Sequence, residues 1–199
     1  ENIKMITGEI KNKIDNIWQK LWAAGMANPL TCIEQLSYLM FIRSLDDIEI
    51  ETEQKENMMG IKGNHIFDEN QQKLRWSKFK NLSPDEIFSL MKDEKNGIFA
   101  FIKNMHGNNE SAFAKFMKDA TFQIPVPQVL VNVIAGLDEL YENDIQDQDM
   151  LGDIYEYMLD KLSASGQNGQ FRTPAQIRNL MVNLIQPTVR VMCYTYSCL

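Results

Sequence analysis

The pattern of apolar positions along the chain is helical. In the first segment the apolar residues recur three and four positions apart, which places them on one face of a helix: Ile10, Ile14, Ile17, Trp18, Leu21 and Trp22. Gly25 and Pro29 are expected to end this helix. A second helix is predicted to begin at Thr31, which with Glu34 three residues later forms a capping-box pattern. Its body, residues 36–45, is apolar nearly all round and is therefore expected inside a bundle.

The helical pattern stops between Asp46 and Asn81. This stretch begins with acidic residues and continues with polar ones and with glycines at positions 60 and 63. We interpret it as a long loop or insertion, which in a compact domain is usually functional or mobile. Within it, residues 73–80 form a small cluster of basic and aromatic side chains.

Helical periodicity returns after Asn81. Ser83, Pro84 and Glu86 form a typical helix start, with a capping hydroxyl, proline at the first position and an acid at the third. Further helices are predicted around residues 98–102, 113–117, 129–141, 151–162 and 174–185. Strand-like alternation occurs at most in the last dozen residues. The predicted fold class is therefore all-α, a multi-helix bundle.

Composition and charge narrow the class of protein. The 199 residues fit one domain, or one domain with a small appendage, and the formal net charge is −7. An acidic chain is a poor candidate for autonomous, sequence-independent DNA binding. Three scattered cysteines suit a reducing compartment, so we expect a cytoplasmic protein. The longest apolar run is far too short to span a membrane.

Several catalytic motifs do not occur in the sequence. No two glycines are spaced G-x-G, no G-K-[ST] loop is present, and no two prolines are adjacent, which excludes a dinucleotide fingerprint, a phosphate loop and an Asn-Pro-Pro-aromatic catalytic loop. His65 and His106 are isolated from each other and from the cysteines. A calcium loop beginning at Asp147 would have Met158 where the bidentate glutamate belongs. We predict no catalytic residue and no metal ligand.

Three short segments carry a specific pattern. Residues 39–47 read LMFIRSLDD, residues 149–162 read DMLGDIYEYMLDKL, and residues 169–174 read GQFRTP. Together they resemble the modification subunit of type I restriction–modification systems, an S-adenosylmethionine-dependent DNA adenine-N6 methyltransferase. The resemblance covers roughly residues 5–187, and it is the combination of motifs that makes it specific.

The resemblance implies a domain organisation and a cofactor site. Residues 1–145 would be the family's helical N-terminal domain, residues 146–187 the lead-in helices of a truncated methyltransferase domain, and residues 188–199 a tail outside the family. In adenine-N6 methyltransferases the turn at this place lines the S-adenosylmethionine pocket, which implies four cofactor-binding residues: Gln170, Phe171, Thr173 and Pro174. Alternatively, Thr173 and Pro174 serve only as a helix cap. Arg172 departs from the family's pattern.

The residues after Pro187 depart from the family more strongly. The family continues with a glycine-containing cofactor loop and, much later, a catalytic Asn-Pro-Pro-Phe, and neither occurs in this sequence. We therefore expect a frameshifted or truncated gene product, or a deliberately shortened chain. Such a chain is predicted to be inactive on its own and to bind no S-adenosylmethionine.

Two functional hypotheses follow. In the first, the chain is the N-terminal portion of a modification subunit, which docks a specificity subunit, joins a restriction subunit in the full complex, and helps to enclose double-stranded DNA. Arg75, Lys78 and Lys80 are the candidate DNA-facing residues; alternatively, this segment is a surface loop whose aromatic side chains anchor to the core. In the second, the chain is a stand-alone helical interaction domain that oligomerises or sequesters a partner, a use that its twelve methionines would suit.

Overall fold

The computed structural model describes residues 8–60, 62–105, 120–143 and 148–164. Within these ranges the chain forms seven α-helices, one short 3₁₀ turn at Gln72–Leu74, and no strand, which confirms the all-α prediction. The helices are α1 (Gly8–Ala23), α2 (Pro29–Met59), α3 (Trp76–Phe79), α4 (Pro84–Lys92), α5 (Ile98–Asn104), α6 (Pro127–Asn143) and α7 (Gln148–Ala164). The described residues up to Leu162 belong to one compact unit.

Among the described helices, α1 and α6 form the most extensive contact. The buried residues of α1 are those that the periodicity predicts, namely Ile10, Ile14, Ile17, Trp18 and Leu21. They face the buried side chains of α6, namely Leu130, Val133, Ile134, Leu137 and Leu140. Gly136 permits the close approach, because a Cβ there would lie 2.7 Å from Cγ1 of Ile17. Trp22, also predicted on the apolar face, is instead 48% exposed.

Helix α2 begins earlier than the sequence predicted. Asn28 is its N-cap, since the Asn28 side chain accepts a hydrogen bond from the backbone amide of Leu30 at 3.0 Å. Pro29 occupies the first helical position, where its missing amide proton costs nothing. The predicted capping box at Thr31 and Glu34 was therefore wrong, because a stronger N-terminal signal lies just upstream.

Helix α2 also ends much later than predicted. It runs through the acidic stretch to Met59 and stops at Gly60, which adopts the left-handed conformation with φ of +66°. The interpretation of residues 46–59 as loop was wrong. The helix was missed because beyond Leu45 its buried face carries carboxylates, and apolar periodicity therefore does not reveal that the helix continues.

The helices that follow agree with prediction where they are described. Helix α4 begins at Pro84, and a carboxylate oxygen of Glu86 accepts a hydrogen bond from the backbone amide of Ser83 at 2.9 Å, as a capping box requires. Helices α5 and α6 lie where the apolar pattern placed them. Helix α7 buries Ile154 and Met158 in the same hydrophobic core as α1 and α6.

Some predicted elements lie outside the described residues. These are the helices around 113–117 and 174–185 and the segment 188–199. In the part of the chain that is described, no helix combines the length and the apolar character needed to cross a membrane.

Candidate functional site

Carboxylates line one face of the C-terminal half of α2. Asp46, Glu49, Glu53 and Glu56 follow one another at intervals of three or four residues, which places them on one side of a helix. Asp46 and Glu49 are buried. These four residues, the acidic face of α2, accept hydrogen bonds from the segment between α2 and α4 and contact the ring of His65 in that segment.

Arg75 binds two of these carboxylates at once. Its Nε donates to Oδ1 of Asp46 at 2.6 Å, and its terminal nitrogens donate to the two carboxylate oxygens of Glu53 at 2.5 and 3.1 Å. Nη1 also donates to Oε1 of Gln72 at 3.0 Å. The Arg75 and Asp46 side chains are 5% and 2% exposed. Removing one member of an ion pair buried to this degree leaves an uncompensated charge, so the residues depend on one another.

Asp46 also fixes the start of α3. Its Oδ2 accepts a hydrogen bond from the backbone amide of Ser77 at 2.6 Å. Burial acts to raise the pKa of Asp46, but the hydrogen bonds from Ser77 and Arg75 outweigh it and hold this pKa below its usual range. The bidentate contact with Arg75 likewise lowers the pKa of Glu53. Both carboxylates are therefore ionised at neutral pH.

A second charged cluster is centred on Asp138 of α6. Oδ1 of Asp138 accepts hydrogen bonds from Nη1 of Arg43 and, at 2.7 Å, from the indole nitrogen of Trp76. Its Oδ2 accepts from Nζ of Lys80 at 2.9 Å. The guanidinium of Arg43 also lies 4.5 Å from the ring centroid of Tyr141, a cation–π arrangement. This cluster joins α2, α3 and α6.

The structure separates the three residues predicted to face DNA. Arg75 is 4% exposed, and its guanidinium is bound to the carboxylates of Asp46 and Glu53, which would compete with a phosphate for its donors. Lys80 is ion-paired with Asp138, whereas Lys78 is exposed. Three further side chains of the segment, Leu74, Trp76 and Phe79, are buried in the core. This arrangement agrees with the alternative interpretation, in which the aromatic side chains of residues 73–80 anchor this segment to the core.

An open cleft of about 460 Å³ lies beside this segment. Two exposed lysines, Lys73 and Lys95, line it together with four carboxamide side chains: Asn70, Gln71, Asn96 and Asn104. The carboxylate of Asp68 at its edge accepts hydrogen bonds from two backbone amides of its own turn, at 2.8 and 3.0 Å. The cleft therefore offers two lysine charges and carboxamides that both donate and accept hydrogen bonds, beside one carboxylate.

Helix α7, which carries the Tyr-Glu-Tyr motif, is tied to α1 by Asp15. Oδ1 of Asp15 accepts a hydrogen bond from the Tyr157 hydroxyl at 2.9 Å and lies 2.5 Å from Nζ of Lys161. Tyr155 is partly buried, and burial raises the pKa of its hydroxyl. The motif thus has an architectural role in this unit: it fixes the helix that leads towards residues 165–199.

Three further features concern a cofactor, a metal ion and a nucleophile. Gln170, Phe171, Thr173 and Pro174 lie outside the described residues, so the cofactor-binding prediction stays a prediction. Among the described residues no cluster of His, Cys, Asp and Glu could hold a metal ion. Burial raises the pKa of the Cys32 thiol to about 11, so this thiol is a poor nucleophile at neutral pH.

Sequence reasoning missed the acceptors that organise these clusters. Asp15, Glu49 and Asp138 were not among the predicted site residues, yet each binds donors from a distant part of the chain. One signal could have found two members of the acidic face: Asp46 and Glu49 continue the three- and four-residue spacing of the buried positions Ile42 and Leu45.

Comparison with known proteins defines the class. The chain belongs to the family described as HsdM N-terminal domain, whose model matches residues 10–137. A second model, described as N-6 DNA Methylase, matches residues 146–198, a range that starts just before α7 and includes most of the segment 188–199. These matches confirm the resemblance to a type I modification subunit.

A curated relative sharpens the comparison. The chain is 27% identical over 172 residues to the type I restriction enzyme EcoEI methylase subunit of Escherichia coli, which covers 82% of this chain and 33% of that protein. The chain thus spans about a third of the length of the curated relative. No solved structure matches the chain significantly.

Proposed function

We propose that this chain serves as the helical N-terminal portion of a type I DNA adenine-N6 methyltransferase subunit, with docking and positioning as its task. The observation that carries the proposal is the order of parts on one chain. A family-defined helical domain is followed by a methylase segment, and the first described helix of that segment, α7, is fastened to α1 through Asp15. In this view the domain and the lead-in helix move as one body.

Methyl transfer by these residues alone is not part of the proposal. The sequence contains neither a G-x-G cofactor loop nor adjacent prolines. By resemblance to the family, Gln170, Phe171, Thr173 and Pro174 would contact S-adenosylmethionine in a complete methyltransferase. Calorimetric titration of this chain with S-adenosylmethionine is expected to show no heat of binding, and micromolar affinity would contradict this division of roles.

The proposed partner is the specificity subunit, and in the full assembly the restriction subunit. Co-expression with a specificity subunit followed by affinity purification tests this. The expected result is a stable complex that survives the Lys55→Glu exchange, since Lys55 is 68% exposed and its ion pair is with Glu51 one turn away. Recovery of the chain only as a self-associated oligomer would favour the alternative, a stand-alone interaction domain.

Within that complex we place the DNA-facing surface at the exposed lysines, Lys73, Lys78 and Lys95. Lysine and carboxamide side chains both donate to phosphate oxygens, and the cleft supplies Lys73 and Lys95 beside four carboxamides. Base flipping for adenine methylation requires protein around the duplex, which gives a positively charged edge on this helical domain a physical role. Arg75 and Lys80, through Asp46 and Asp138, hold the segment that carries Lys73 and Lys78.

Charge reversal tests this surface. In the assembled complex, Lys73→Glu combined with Lys78→Glu is expected to weaken DNA binding and to reduce the salt dependence by about one unit of slope per lost phosphate contact. The matched control is Lys55→Glu on the exposed side of α2. Unchanged DNA affinity in the double variant would remove these lysines from the interface, while retained binding to the specificity subunit would leave the docking role intact.

A further inference from the structure

His65 lies between two carboxylates of the acidic face. Its Nδ1 is 2.8 Å from Oε1 of Glu49 and its Nε2 is 3.1 Å from Oε2 of Glu56. An ionised carboxylate only accepts hydrogen bonds, so both contacts are hydrogen bonds only when both ring nitrogens carry a proton. The geometry therefore selects the imidazolium form of His65.

The same two carboxylates hold the backbone around His65. Oε2 of Glu49 accepts from the amide of Ile66 at 2.7 Å, and Oε1 of Glu56 accepts from the amide of Gly63 at 2.5 Å. A Cβ on Gly63 would lie 2.4 Å from Cγ2 of Thr52, so glycine is needed for this approach. Segment 63–66 is thus fastened to α2 at two positions that are two turns apart.

We propose that His65, Glu49 and Glu56 form a proton-operated clasp, which closes segment 63–66 onto α2 while His65 is protonated and releases it when His65 loses its proton. Glu49 is fully buried. When one ring proton leaves, a lone pair faces a carboxylate oxygen, and a buried carboxylate loses its counter-charge. A buried charge without a partner is costly.

The surrounding charges set the pH at which the clasp opens. The hydrogen bond to Glu49 is the largest influence and, with the charge of Glu56, raises the pKa of His65 above its ordinary value although desolvation opposes this. Glu53 on the same face interacts with the charge of His65, and Lys62 interacts with Glu56. The hydrogen bond from Gly63 is the largest influence that lowers the pKa of Glu56.

The sign of the pH dependence follows from these directions. Because the pKa of His65 is raised on folding, its stabilising contribution is fully present below the ordinary value of about 6.5 and is lost as pH rises through the folded value. Because the pKa of Glu56 is lowered, its contribution is present above the ordinary value of about 4.3 and is lost only in acid. The clasp is therefore closed in mildly acidic solution and opens on the alkaline side.

The next residues limit the release. Phe67 is buried, and its ring stacks on that of Phe101 with centroids 5.0 Å apart. Opening of the clasp therefore frees segment 63–66 and leaves the chain anchored from Phe67 onward, at the edge of the lysine-lined cleft.

An NMR titration of the full chain tests the clasp, with amide exchange followed at Gly63 and Ile66. The ring of His65 is expected to titrate above pH 6.5. After correction for intrinsic exchange, the protection of both amides should fall as pH rises through that midpoint, about tenfold for each unit by which the midpoint exceeds 6.5. The amide of Ser77, which is bound to Asp46, is the internal reference and should not follow the titration. Unchanged protection at Gly63 and Ile66, or a midpoint at or below 6.5, overturns the proposal.

Substitutions separate the clasp from general stability. His65→Gln should abolish the pH dependence of protection at Gly63 and Ile66, whereas His106→Gln, which alters the chain's other histidine, should preserve it. Glu56→Gln should lower the His65 midpoint, which supplies a second variant should His65→Gln fold poorly. A His65→Gln chain that keeps the full pH-dependent change overturns the proposal.

Discussion

The α1–α6 contact and the contact between the acidic face of α2 and α3 stabilise the same unit by different chemistry. The first is built from interlocking aliphatic side chains with Gly136 set against Ile17. The second is built from buried charges, with Arg75 divided between Asp46 and Glu53. Truncating an apolar side chain leaves a cavity whose cost does not involve charge, while removing one member of a buried ion pair leaves the other charge uncompensated. The difference predicts how each region responds to substitution and to pH.

The largest effect is expected at Arg75. Arg75→Met removes the cation from Asp46, and breaking a buried pair from one side costs about 3–5 kcal/mol of unfolding free energy. Urea unfolding followed by circular dichroism measures it. Lys78→Met, three residues along and exposed, should change stability by less than about 0.5 kcal/mol. Equal effects of the two substitutions would mean that the charged contact is not specific.

A truncation in the apolar contact should be similar or somewhat smaller. Leu21 is completely buried, and Leu21→Ala is expected to cost about 2–5 kcal/mol through lost transfer energy and the cavity left behind. Leu30→Ala is the control, since Leu30 is 42% exposed. The unfolding free energy lost in Leu21→Ala should be the same at pH 4 and pH 7, because the contact contains no charge. A loss that depends on pH would contradict the contrast with the charged contact.

The charged contact should make stability fall in acid. Since the pKa values of Asp46 and Glu53 are lowered by folding, their contribution is present above the ordinary carboxylate values of about 4 and is lost as pH falls through the folded values. Burial raises the pKa of Asp47, so this residue changes stability with pH in the opposite direction. Because Asp47 is present in both chains, its contribution does not affect the difference between them. Thermal unfolding between pH 2.5 and 7 should show a shallower acid loss in Arg75→Met than in the original chain, and parallel curves would contradict this.

The smallest effect is expected at the fastening of α7. Tyr157→Phe removes the hydroxyl that Asp15 accepts at 2.9 Å, and the expected cost is about 0.5–1.5 kcal/mol because Asp15 keeps Lys161. Amide exchange along α7 should rise more than exchange along α4. Uniform exchange in both helices would mean that this hydrogen bond does not hold α7 in place.

The two regions also differ in how far the sequence predicts them. The apolar stripe of α1 and the strong periodicity of α6 report burial directly, because both helices bury a continuous apolar face. Beyond Leu45 the buried side of α2 is acidic, and the partners of the buried residues Asp46 and Glu49 lie 16 to 31 positions away in the sequence. No local pattern encodes such pairing. The same reason explains why the sequence grouped Arg75 with Lys78 as DNA-facing residues. In the structure Arg75 is buried against Asp46, whereas Lys78 is exposed.

Two of the segments that carry the family resemblance have identifiable physical roles in this chain. In the Arg-Ser-Leu-Asp-Asp segment, Arg43 donates a hydrogen bond to Asp138, and Asp46 accepts one from Arg75. In the Tyr-Glu-Tyr segment, the Tyr157 hydroxyl donates to Asp15. These residues bind distant parts of the same chain. In the described residues the motifs thus serve architecture, which is consistent with a domain that positions other parts of an enzyme.

A double-mutant cycle between Asp46 and Arg75 tests most directly whether the buried charges of α2 hold the following segment in place. The free energies of unfolding would be measured for the original chain, Asp46→Ala, Arg75→Ala and the double variant at pH 7. The account predicts that the two single losses are strongly non-additive, with a coupling of at least about 2 kcal/mol. Additive losses, with a coupling below about 0.5 kcal/mol, would contradict it.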